Sequence, residues 1–189
     1  MLATTTLHPP PYELGATPVD SRAVLVALLG LLALGAAAGL GSPAFTPGLR
    51  LIPSVLLVEL ASLALGSPAL IAAHQFMGLA AAPEALAAAL GRALIHAGRV
   101  AGGLALIVLF FGATTRLAAP MLLIALAGVG VFTSVTACAE LRAAERRAAT
   151  VVAPMFSLLL LGWLSLSWLI AARVGVDVAA WVFDFGGTW

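Results

Sequence analysis

The chain has 189 residues, of which 62% are hydrophobic and only 9% charged, with a mean hydropathy of +1.13. Soluble domains are typically about one-quarter charged, and a soluble fold this apolar would expose an oily surface to water, so lipid is the solvent that the composition calls for. The formal net charge of +1 leaves no footprint for nucleic acid, and the nine basic residues are all arginine, which excludes Schiff-base chemistry and a retinal-type pigment on lysine.

Residues 1–21, MLATTTLHPPPYELGATPVDS, form a polar tail. It lacks a basic leading region, so a cleaved signal peptide is not expected. His8 opens HPPPY, a short stretch suited to an extended polyproline conformation. Crossing the hydrocarbon core takes about 20 apolar residues in a helix, and five segments reach that length within residues 22–173. The first runs from Ala23 to Leu40 and ends in the breaker-rich turn GSPAFTPG. The second runs from Pro53 to Met77, with a break expected at Gly66-Ser67-Pro68, where proline frees backbone carbonyls. Pro83-Glu84 reads as a fresh helix start, proline in the first turn beside an acid that suits the helix dipole. That helix reaches Phe111, so its first turns stand outside the hydrocarbon.

The fourth span covers Leu117 to Ala137 and the fifth Val151 to Ala172. Between them lies AELRAAERRAAT, a charged connector carrying Glu140, Arg142, Glu145, Arg146 and Arg147. Residues 174–189 are too short to cross and read as an interfacial tail, anchored by Trp181 and Trp189 beside Asp177 and Asp184. The expected fold is therefore all-α, a polytopic membrane helix bundle of about five spans. Arg22, Arg92, Arg99, Arg142, Arg146 and Arg147 fall on one side, and Arg50, Arg116 and Arg173 on the other. By the positive-inside rule this asymmetry puts the N-terminus in the cytoplasm and the C-terminus outside. Gly35 with Gly39, and Gly98 with Gly102, match the small-xxx-small spacing that lets helices approach closely.

Four features could carry chemistry. Glu59 lies in the second span, where a carboxylate is costly. It could move protons, coordinate an ion or pair with an arginine, or it could lie two turns into a helix that begins near Pro53 and so reach water. Arg92, His96 and Arg99, spaced i, i+4 and i+7, share one helical face that suits anionic lipid headgroups, an acidic partner or solvent. His74 and His96 sit on consecutive helices, but at about 10 Å and about 22 Å from the intervening turn they lie too far apart in depth for a shared haem. One of them could still hold a pigment. Cys138, the sole cysteine, reads as a small buried filler and rules out an internal disulfide. There is no H-E-x-x-H, no G-x-S-x-G and no Walker loop.

Two stretches, IAAHQFMGLAAAPEALAAALGRALIHAGRVA (71–101) and CAELRAAERRAATVVAPM (138–155), resemble the Yip-domain family. In the first, a span ends in a histidine and a glycine-containing loop leads into a helix that re-enters the bilayer. In the second, a charged connector precedes a proline-containing span. The resemblance implies five spans, a cytoplasmic N-terminus and a non-enzymatic scaffold. The arginine-only, alanine- and leucine-rich composition suggests a GC-rich bacterial genome. The expectation is thus a non-catalytic scaffold or accessory subunit of a bacterial inner membrane, without cofactor or metal, in contact with lipid and other membrane subunits. The alternatives are a transporter or ion- or proton-conducting component using Glu59, and a haem- or pigment-binding subunit using His74 or His96.

Overall fold

The computed structural model describes residues 19–41, 45–115, 117–149 and 152–183. They form five helices: α1 (Ser21–Leu40), α2 (Phe45–Phe76), α3 (Pro83–Thr114), α4 (Ala118–Ala148) and α5 (Pro154–Phe183). All five are long and apolar enough to cross a membrane, and the described residues contain no strand. The protein is a multi-pass membrane helix bundle.

The helix ends follow local chemistry. Asp20 caps α1, its Oδ1 accepting the Arg22 N–H at 3.0 Å. Pro83 and Glu84 open α3, as the sequence suggests. At the end of α2, Gly78 takes φ +64°, a left-handed conformation that reverses the chain while the Leu79 N–H returns to the His74 carbonyl at 3.3 Å.

Three boundaries differ from the sequence reading. The second helix starts at Phe45, well before Pro53, so part of the expected GSPAFTPG turn is helical. It also runs unbroken through Gly66-Ser67-Pro68. The expected break does not occur: Pro68 leaves a single carbonyl, that of Ala64, without its helical donor, and the helix continues past it with α5 packed alongside, the Trp163 indole N–H donating to the Gly66 carbonyl at 3.1 Å. A side chain at position 66 would crowd that indole and the Ser167 hydroxyl. The charged stretch after Ala137 completes α4, and residues 174–183 continue α5, with Arg173 and Asp177 paired across one turn at 3.2 Å. The polyproline stretch at His8, together with Arg116, Asp184 and Trp189, lies outside the described residues.

Helix α1 is wedged between α2 and α3, and glycine makes the wedge possible. A Cβ on Gly30 would overlap the Gly98 carbonyl, and one on Gly98 would overlap the Ala27 backbone. On the other side, Gly35 and Gly39 lie against the carbonyls of Leu51, Ile52 and Gly48. Both small-xxx-small pairs are thus in use, Gly35/Gly39 towards α2 and Gly98/Gly102 towards α1. Helix α4 lies beside α3. Helix α5 lies along α2 and reaches α4 through side chains, with the Trp168 ring over Gly130.

Two apolar cores stack along the bundle axis. One gathers Leu31, Leu34, Val55, Ala101 and Val129 around α1. The other, of Leu70, Leu86, Leu141, Phe156 and Leu160, contains no α1 residue. Length explains the division: the 20 residues of α1 cover about 30 Å, whereas α2–α5, with 30–32 residues each, run on by about three turns. The longer helices build the second core by themselves. Gly98→Leu is expected to force α1 and α3 apart and cost roughly 3 kcal/mol or more. Gly103→Ala, at a helical position with nothing within 4 Å, is expected to be neutral or mildly stabilising. Denaturant titration in detergent compares the two.

Candidate functional site

The polar groups concentrate at the end of the bundle where α1 begins. His74, in the last turn of α2, is fully buried. Its Nε2 lies 2.8 Å from Glu145 Oε2, across 71 residues of sequence. Glu145, on α4, is 1% exposed and also accepts the backbone N–H groups of Ala80 and Ala81, each at 3.0 Å. The Gln75 amide donates to the Ala81 carbonyl at 3.1 Å and approaches His74 Nδ1 at 3.2 Å.

One proton arrangement satisfies all of these contacts. Both Gln75 amide hydrogens are donated, so Nδ1 accepts and the imidazole carries its proton on Nε2 for Glu145. The carboxylate then collects three N–H donors: one imidazole and two consecutive amides of the α2–α3 turn. Such charge-assisted bonds are the form in which a buried carboxylate is tolerated. The arrangement is a latch, with α4 holding the turn and α2 holding α4. The edge of the His74 ring meets Phe156 of α5, centroids 5.7 Å apart and planes at 89°, which brings a fourth element onto the same point.

This geometry corrects one expectation: Glu145 is an interior group of α4 and not part of a charged connector between spans, while Arg142, Arg146 and Arg147 around it are exposed. The His74 ring is fully buried, with both nitrogens in contact with Glu145 and Gln75. His96, by contrast, stands exposed on α3.

The Arg92, His96 and Arg99 stripe is present on α3, but its members differ in role. Arg92 turns to α4 and donates through Nε to Glu140 at 2.7 Å, both side chains about one-quarter exposed. His96 and Arg99 remain exposed. Trp181 lies at the opposite end. Its carbonyl accepts Arg50 Nη1 at 2.8 Å, and the same guanidinium stands 5.7 Å from its ring centroid, which ties the start of α2 to the end of α5.

Glu59 is 6% exposed. Because α2 begins at Phe45, it lies about 21 Å along the helix and not two turns in. It shares a buried stripe with Val55, Gly66, Leu70 and His74, between the α2 contributions to the two cores. Among the described residues its carboxyl has no hydrogen-bond or ion-pair partner. Cys138 is half-buried at the edge of the second core. No cluster of three His, Cys, Asp or Glu suited to a metal occurs among the described residues. No family model, no curated protein and no solved structure matches the chain.

Sequence reading named His74 and Glu145 but missed their pairing and missed Gln75. The available signal was the pairing rule for buried charges. Applied to a chain with few acids, it asks each carboxylate near a span end for buried donors, a histidine among them. His74→Ala is expected to cost about 3 kcal/mol by stripping a donor from a buried carboxylate. A double-mutant cycle with Glu145→Ala should return a coupling of about 1–3 kcal/mol, whereas additive losses would show that the latch is not a unit.

Proposed function

We propose that the protein is a non-catalytic scaffold or accessory subunit of a bacterial inner-membrane complex, with a cytoplasmic N-terminus and with α5 as the helix that meets the partner. The supporting observation is the open packing of α5. Within its apolar 18-residue stretch 17% of the residues are buried, against 28–33% in the other four helices. Leu158, Leu161 and Leu169 are each more than 60% exposed. In lipid such a face gains nothing from hydrophobicity alone, so a partner helix would associate through packing and through the polar groups of α5. The imbalance of arginines supports the orientation.

Extraction from native membranes into nanodiscs, followed by mass spectrometry of co-eluting proteins, tests the subunit role. We expect an assembly larger than the monomer, lost in Leu161→Trp with the fold retained. A lone monomer from native membranes would count decisively against it.

A second reading is favoured by Glu59, a buried carboxyl deep in a continuous membrane helix. Under it the protein conducts protons or a small cation. Glu59→Gln should then abolish flux in proteoliposomes while leaving the melting transition in place. Equal flux in parent and variant, or none in the parent, removes this reading.

A further inference from the structure

We propose that the outer face of α3 carrying His96 and Arg99, braced by the Arg92–Glu140 ion pair, is a binding site for the phosphate of an anionic phospholipid. The inference is independent of the subunit reading, and it rests on depth, direction and charge.

Depth follows from the register of the helices. Val19, just before α1, packs on Gly91 of α3, with its Cγ2 3.1 Å from where a Cβ would stand. The start of α1 is therefore level with Gly91 and Arg92. Because α1 is about 30 Å long, the thickness of a hydrocarbon core, its start marks one face of that core. Arg92 lies at this boundary, His96 about 6 Å inside it and Arg99 about 10 Å inside it.

Direction follows from helix geometry. Side chains on a helix lean towards its N-terminus, and the N-terminus of α3 is on the boundary side. His96 and Arg99 therefore both reach back towards the headgroups, the behaviour that makes a cation at this depth tolerable.

Charge selects the ligand. Glu140 neutralises Arg92 and fixes this face of α3 against α4. The exposed Arg99 is left as an unneutralised cation among the described residues, with the His96 ring one turn away as a further donor. Arg147 is also exposed, two turns beyond Glu140 on the same face of α4, and extends the positive potential beyond the boundary. A planar guanidinium with an adjacent donor suits a phosphate ester, and basic groups at a leaflet boundary attract anionic lipid.

Native mass spectrometry of the full chain in detergent, titrated with phosphatidylglycerol or phosphatidylcholine, tests the proposal. Phosphatidylglycerol should be retained several-fold over phosphatidylcholine. Arg99→Gln should reduce that preference roughly five-fold. Arg173→Gln, an equal charge change towards the opposite end of the bundle, should leave it unaltered, and both variants should melt like the parent. His96→Gln keeps a donor and should lose less than Arg99→Gln. Equal retention of the two lipids, or equal losses in Arg99→Gln and Arg173→Gln, overturns the site. Displacement by inorganic phosphate would reassign it to a free anion. Loss of an acidic partner protein in Arg99→Gln with lipid retention unchanged would reassign it to a protein contact.

Discussion

The Glu145 carboxylate is the interaction on which one end of the molecule depends. A carboxylate taken out of water needs several donors at once, and only a particular chain path supplies them. Here the path is the tight α2–α3 turn, which presents the Ala80 and Ala81 amides side by side, with His74 brought up beneath it. The turn therefore fixes the rotation of α4, and α4 fixes the turn. Gly78, free to adopt positive φ, lets the chain reverse tightly enough for both amides to face one acid. Phe156 against the His74 ring then sets where α5 begins.

The other half of the bundle is held by a different principle. Near α1 the side chains of the first core are joined by close backbone approaches at Gly30, Gly35, Gly39 and Gly98, which convert small residues into dispersion contact. Packing of this kind suits lipid, where water contributes no drive to bring helices together. Buried polar bonds suit the extension beyond α1, where a short four-helix stem has little area to bury. The two cores thus differ in chemistry because they differ in surroundings, and the 20-residue length of α1 sets where one regime gives way to the other.

The number of helices and their membrane character were legible because about 20 apolar residues in a row leave few alternatives. Their ends were less so. The Gly66-Ser67-Pro68 break was a sound local inference, but one proline removes only one helical hydrogen bond, and the helix runs on through it with α5 packed alongside, its Trp163 lying 97 residues away in sequence. The α4 extension was hidden because charged residues read as connector when their partners are unknown. Alanine and arginine are good helix formers, and AELRAAERRA continues a helix readily once Glu140 and Glu145 have somewhere to point. The Arg92, His96 and Arg99 face was legible from spacing alone, but which of the three would be neutralised was not, since Glu140 comes from another helix.

Glu59 shows where structural explanation stops and function has to begin. Every other buried acid or base among the described residues has a partner that accounts for it within the fold. Glu59 lies deep in α2 and receives nothing comparable from those residues, so it costs the fold free energy. With 6% exposure it is largely closed to a group as big as the guanidinium of a neighbouring subunit. The subunit and conduction readings therefore rest on different elements of the bundle. An open α5 face is what a partner helix would need, and a carboxyl left without a partner deep in α2 is what conduction would need.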